Sequence, residues 1–83
     1  MTQTARAADA KKAWDVLSEH ALAAADAWAE YESLAGGPHA ENLYNAAVAA
    51  CYRANKAARN ATRATGAAIV EAAAELASKP TVA

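Results

Sequence analysis

The sequence has 83 residues and contains no phenylalanine, a single cysteine and two histidines. One cysteine excludes an internal disulfide and cannot by itself form a cysteine-based zinc site. Neither His20 nor His39 belongs to a pattern that places two metal ligands on one face of a helix. We therefore predict no bound metal and no cofactor. We interpret Cys51 as a small packed thiol, because no histidine lies three or four residues from it.

Long apolar stretches are also lacking. No segment approaches the roughly 18 uninterrupted apolar residues of a membrane span, and residues 1–4 lack the apolar core of a signal peptide. We therefore expect a soluble protein without membrane contacts. The low cysteine content favours the reducing cytoplasm.

Alanine is the most abundant residue in the sequence. It supplies about a third of the chain, within a hydrophobic class of 55%. Because alanine is the best helix former and loses no side-chain entropy in a helix, the composition predicts an all-α protein. A chain this short makes a single domain, residues 1–83. Such a domain buries a modest fraction of its surface unless a partner covers more.

The strongest turn signal inside the chain lies at residues 36–38. Gly36 is suited to the left-handed position that follows a helix, and Pro38 is suited to the first turn of the next helix. The sequence therefore predicts a hairpin with one helix over about 4–35 and a second antiparallel helix over about 38–78.

The second helix has one weak point and a predicted end. Gly66, beside two threonines, leaves open whether this helix is continuous, kinked or broken into a third helix. Pro80 is expected to stop the helix, with Lys79 near its C-terminal dipole.

Apolar residues recur at three- and four-residue spacing in both halves, which is typical of helices that pack along one face. The predicted seam of the first helix is Trp14, Leu17, Ala21, Ala24, Trp28 and Tyr31. The predicted seam of the second is Tyr44, Val48, Cys51, Asn55, Ala58, Thr62, Thr65, Ile69, Ala72 and Leu76. An alanine stripe runs beside this second seam, at Ala47, Ala50, Ala54, Ala61 and Ala68. Because the combined apolar arc is wider than one helix needs, we predict a helical bundle formed by a homo-oligomer, a dimer or higher.

Folding the chain back at the turn predicts which residues oppose each other. Tyr31 is placed opposite Tyr44, and Trp28 is placed opposite Ala46 and Ala47. Large side chains of the first helix thus face alanines of the second, which allows a close approach. The polar residues in the second seam either fix this register or line a polar pocket, and Thr65 is one of them.

The charges are unevenly distributed. Residues 1–41 carry three bases and seven acids, a net charge of −4, whereas residues 42–83 carry five bases and two acids, a net charge of +3. The whole chain has a formal net charge of −1. Binding of duplex DNA is therefore poorly supported, because few bases are available against a phosphate backbone.

One aromatic residue and three cations follow each other along the second helix. Tyr52, Lys56, Arg59 and Arg63 lie at positions i, i+4, i+7 and i+11, which predicts a single stripe, and Asn55 lies next to it. Nucleotide binding needs at least an aromatic ring on which the base can stack and nearby cations that bind the phosphates. We predict that these five residues bind a small anionic ligand.

The alternative interpretation is a solvated helical face. The antiparallel register places Asp15 and Glu19 near Arg59 and Lys56, so that the stripe forms ion pairs with the first helix. No catalytic motif is visible. The carboxylates of the first helix, including Asp15 and Glu19, are expected to be solvated, and we predict that the chain is not an enzyme.

The segment 43–59 resembles part of the hairpin domain of phage sponge proteins that sequester cyclic-nucleotide immune signals, the anti-CBASS and anti-Thoeris group. In that family the second helix reaches a Trp-Ala-Asn element that is followed by Ile-Ala-Arg. The matching positions are Ala54, Asn55 and Arg59, and the departures are Arg53 for the tryptophan and Ala58 for the isoleucine. The resemblance implies a non-catalytic helical oligomer whose pockets hold a small anionic nucleotide. It also implies a phage protein that serves immune evasion in the host cytoplasm.

Two functional hypotheses follow. The first is a non-catalytic binding protein, a phage-type sponge for a small anionic nucleotide signal. The second is a protein–protein interaction or structural helical module, such as a phage accessory or antitoxin-like subunit, in which the basic stripe is incidental.

Overall fold

The computed structural model describes residues 5–78, and this part of the chain forms two α-helices and no strand. Helix α1 spans Ala5–Leu34 and helix α2 spans Ala40–Ser78. The two helices pack against each other as an antiparallel hairpin. The predicted all-α hairpin is thus confirmed. The predicted start of the first helix near residue 4, and the roles of Lys79 and Pro80, lie outside the described residues.

The turn between the helices covers residues 35–39, so α2 begins two residues later than predicted. The N–H of Gly37 donates to the carbonyl of Leu34 at 2.9 Å, and the N–H of Leu43 donates to the carbonyl of His39 at 2.9 Å. The left-handed conformation predicted for Gly36 is wrong, since no glycine has a positive φ. A Cβ at Gly37 would lie 3.3 Å from the Leu34 carbonyl oxygen, so the absent side chain permits this close approach.

Helix α2 continues through Gly66 without a break. This result excludes a third helix in the described part of the chain. A Cβ placed on Gly66 would meet no atom within 4 Å. A glycine is therefore not needed here for a close approach of another part of the chain. Gly66 is helical as part of the continuous helix α2.

The face that joins the helices consists mainly of alanine. Every residue classed as buried in the described part of the chain is an alanine: Ala10, Ala24, Ala47, Ala50, Ala57 and Ala61. The α2 members recur at three- and four-residue spacing, the repeat of a coiled-coil seam. The alanine stripe that was predicted to lie beside the seam of α2 is thus the seam itself.

The seam predicted for α2 is therefore wrong by a rotation of about one residue, whereas the seam predicted for α1 is correct at Leu17, Ala24 and Tyr31. In α1, Ala24 is buried and Leu17 and Tyr31 are half-buried, whereas Trp14 is 47% exposed. Small side chains on both helices let the two backbones approach and gain dispersion contacts over their length. On α1 the alanines of the seam alternate with Leu17 and Tyr31, whereas bulky side chains such as Trp14, Val48 and Ile69 lie beside the seam.

The antiparallel register agrees with the prediction. The Tyr31 and Tyr44 ring centroids lie 5.4 Å apart, and the Trp28 and Tyr44 centroids lie 5.9 Å apart. Of the two alanines that were predicted to oppose Trp28, Ala47 is 0% exposed, whereas Ala46 lies on the exposed side of α2. The hairpin is long and thin, with a Cα radius of gyration of 19.5 Å, whereas a compact domain of this length has about 12 Å.

Neither described helix has an apolar stretch that is long enough to cross a membrane.

Candidate functional site

Two different surfaces flank the alanine seam. In a coiled coil, residues seven apart lie on the same side of their helix. One side of the hairpin, called the aromatic flank, is formed by Trp14, Ala21, Trp28, Tyr44, Val48, Cys51, Asn55, Ala58, Thr62, Thr65, Ile69, Ala72 and Leu76. It contains the whole seam that the sequence predicted for α2, together with the alternate members of the α1 seam.

Side-chain hydrogen bonds fix the aromatic flank across the two helices. The indole N–H of Trp14 donates to Thr65 Oγ1 at 2.8 Å, and the Thr65 hydroxyl donates to the carbonyl of Ala61 at 2.8 Å. Fourteen residues further along α1, the indole N–H of Trp28 donates to Cys51 Sγ. The Trp14–Thr65 bond joins the two helices, and its role in fixing the register stays a prediction.

The α2 part of the aromatic flank carries no carboxylate or cation, although its members are largely open to solvent, whereas Lys11 and Glu32 of α1 lie at the outer edge of this side. Ile69 is 64% exposed, and Val48, Tyr44 and Leu76 are exposed as well. The ten α2 residues of this flank, which run from Tyr44 to Leu76, all have apolar or neutral side chains. An apolar strip of this length is unusual on a solvated helix, because exposed helical faces normally carry charge.

The opposite side of the hairpin contains a groove of about 380 Å³ between α1 and α2, called the basic groove. Its cations are Lys12, Arg53 and Lys56, and His20 also lines it. The remaining lining residues are Asp9, Ala13, Val16, Ala57 and Asn60. The lining of the groove thus contains three cations, one carboxylate and several small apolar side chains.

Tyr52, Lys56, Arg59 and Arg63 follow each other at i, i+4, i+7 and i+11 of the continuous helix α2, so these four predicted binding residues lie along one exposed face of the helix. Tyr52 and Arg59 are seven residues apart and lie on the outer face of α2, away from the seam. Lys56 lines the basic groove, and Arg63, seven residues later, shares its side. Asn55 shares the heptad position of Val48, so it belongs to the aromatic flank. All five side chains are exposed, and their ligand-binding role stays a prediction.

The ion pairs predicted with α1 are not formed. Within residues 5–78, the one ion pair shorter than 4.0 Å joins Arg6 Nε to Glu71 Oε2 at 3.7 Å. No carboxylate of Asp15 or Glu19 comes that close to Arg59 or Lys56. The basic stripe therefore does not owe its position to pairing with helix α1.

The groups that could supply catalytic or metal chemistry are kept apart. Cys51 lies on the aromatic flank and accepts a hydrogen bond from an indole, whereas His20 lines the groove on the opposite side. No group of three or more histidine, cysteine, aspartate or glutamate side chains capable of holding a metal occurs within residues 5–78.

The chain was compared with protein-family models, with curated proteins and with solved structures, and none of the three comparisons gave a match.

Proposed function

We propose that this chain is a non-catalytic helical interaction module that acts by docking its aromatic flank on another helical surface, first of all on a second copy of itself. The observation that carries the proposal is that small side chains are buried and large apolar side chains are exposed. The hairpin buries alanines and leaves ten of its large apolar side chains exposed. Five of the ten, Trp14, Tyr44, Val48, Ile69 and Leu76, lie on the aromatic flank, so a partner that covers the flank buries these five and adds hydrophobic stabilisation.

The exposed area supports a partner of substantial size. The chain exposes 6325 Å², whereas a compact monomer of 8.5 kDa exposes about 4,700 Å². The excess of roughly 1,600 Å² per chain matches permanent interfaces, which bury about 1,000 Å² or more on each side. A second hairpin laid on the aromatic flank would make a four-helix bundle.

Charge and pattern favour a second copy as the partner. The half of the chain that contains α1 has a net charge of −4, and the half that contains α2 has +3. In a two-fold dimer with both turns at the same end, α1 of one copy lies on α2 of the other, so opposite charges meet along the rims. The 3–4 spacing along the α2 part of the flank also suits knobs-into-holes packing.

Two neighbouring residues of α2 provide a matched test. Ile69 belongs to the aromatic flank, whereas Val70 shares the heptad position of Lys56 on the groove side, and they are 64% and 69% exposed. Ile69→Glu should weaken self-association by about a hundredfold or more, because each copy loses about 1.5–3 kcal/mol of burial and gains a buried charge. Val70→Glu adds the same charge and should leave association unchanged. Sedimentation velocity over a dilution series distinguishes the two outcomes, and equal behaviour of both variants would overturn the proposal.

A second candidate function is sequestration of a small anionic nucleotide by Tyr52, Lys56, Arg59, Arg63 and Asn55. The observation that favours it is that, within residues 5–78, no carboxylate lies within 4.0 Å of these cations. The unneutralised charge is available for a phosphate. Calorimetric titration with cyclic di- and trinucleotides tests this candidate. Arg59→Glu combined with Arg63→Glu should abolish binding without loss of helicity, whereas binding that survives these reversals would exclude the stripe.

A further inference from the structure

The basic groove carries chemistry that docking on the aromatic flank does not use. It lies on the opposite side of the seam, so a partner on the flank leaves it open. Its volume of about 380 Å³ lies within the usual range for small-molecule sites, which is about 300–1,000 Å³. The groove is lined by both helices and therefore exists only when the hairpin is formed.

The cations of the groove come from both walls. Lys12 projects from α1, while Arg53 and Lys56 project from α2 one turn apart. Within residues 5–78, none of the three has a carboxylate oxygen within 4.0 Å. The Arg53 guanidinium suits the terminal oxygens of a phosphate monoester, because arginine binds two of them at once, and Lys12 and Lys56 add positive charge along the groove.

The rest of the lining indicates what the phosphate is attached to. Ala13, Val16 and Ala57 form a smooth apolar floor that accepts a flat ring. The Asp9 carboxylate accepts a hydrogen bond from a hydroxyl or amino group, and the Asn60 amide can donate or accept one. Inorganic phosphate alone would leave this part of the groove unused.

We infer that the basic groove is a binding site for a small phosphate monoester that carries a compact ring, with Arg53 binding the phosphate and with Lys12 and Lys56 supplying further positive charge along the groove. This site differs from the stripe on the outer face of α2 and shares only Lys56 with it. Neither Tyr52 nor Arg59 takes part. The inference does not depend on self-association.

The test is calorimetric titration of the intact protein with adenosine 5′-monophosphate, adenosine and inorganic phosphate. We expect saturable binding of the monophosphate with a Kd of about 1 mM or tighter. Adenosine should bind at least tenfold more weakly, because it lacks the phosphate. Phosphate should compete but bind at least tenfold more weakly, because it does not use the apolar floor.

Paired charge reversals locate the site. Lys12→Glu with Arg53→Glu should weaken binding of the monophosphate at least tenfold. Arg6→Glu with Lys11→Glu changes the net charge equally but lies outside both the groove and the stripe of Tyr52, Lys56, Arg59 and Arg63, and its Kd should stay within twofold of the wild type. Circular dichroism shows whether both variants keep their helicity; if the groove reversal unfolds, Arg53→Gln replaces it and should weaken binding at least threefold. Absence of saturable binding up to 10 mM, phosphate binding as tight as the monophosphate, or equal losses in the two reversals would each overturn the inference.

Discussion

Replacement of Ala47 by leucine tests the alanine seam most simply. Ala47 is 0% exposed and lies on α2 between Tyr44 and Cys51, both of which contact Trp28. Leucine adds three carbon atoms at a position without free space. Because the site has no room for these atoms, they force the helices apart or push neighbouring side chains off their preferred rotamers. We expect a loss of about 1–3 kcal/mol in the free energy of unfolding.

The matched control is Ala46→Leu, one residue earlier on the exposed side of α2. It adds the same atoms to the same helix and should change the free energy of unfolding by less than about 0.5 kcal/mol. Thermal unfolding followed by circular dichroism, at equal protein concentration, should place Ala47→Leu lower. Each kcal/mol lowers the midpoint by about 4–8 °C in a domain of this size. Equal midpoints for the two variants would refute the alanine seam.

Three further substitutions address separate parts of the hairpin. Gly66→Ala should stabilise α2 by about 0.5–1 kcal/mol, because a Cβ there meets nothing within 4 Å; an unchanged urea midpoint would contradict this. Thr65→Val should cost about 0.5–1.5 kcal/mol, because it removes the exposed hydrogen bond from the Trp14 indole N–H, and combining it with Trp14→Phe should cost less than the sum of both; strict additivity would argue against the bond. Arg6→Gln should cost at most about 1 kcal/mol, since its ion pair with Glu71 is largely solvated; a larger loss would indicate a role beyond pairing.

Much of the fold follows from local features of the sequence. The abundance of alanine favours helices, and residues 36–38 supply the one strong turn signal. Together they predict two antiparallel helices and a register that brings Tyr31 close to Tyr44. Helix ends were predicted within about two residues, because the turn chemistry of Gly36 and Pro38 indicates where a helix stops without fixing which conformation closes it.

The rotation of α2 about its own axis could not be predicted in the same way. Two stripes with coiled-coil spacing run side by side on α2, one made of alanines and one that includes Val48 and Ile69. Hydrophobicity assigns the larger side chains to the seam, whereas close approach of the backbones favours the alanines. The choice depends on how the two helices pack against each other, and the residue pattern of one helix alone does not contain this information.

The same reason explains why the basic groove was missed. The stripe of Tyr52 and Arg59 follows from the spacing along one helix, but a groove is formed by two. The predicted register already places His20 opposite Arg53, and Lys12 lies two turns earlier on the same side of α1. Charge considered across the hairpin, and not along α2 alone, would have indicated these residues.

Sedimentation equilibrium of the wild-type protein tests self-association through the aromatic flank most directly. Between about 1 and 100 μM, we expect a particle mass of at least twice the 8.5 kDa of one chain. The distribution should move toward the single-chain mass for Ile69→Glu and remain unchanged for Val70→Glu. A wild-type particle of 8.5 kDa that stays fully helical across this range would contradict the proposed function.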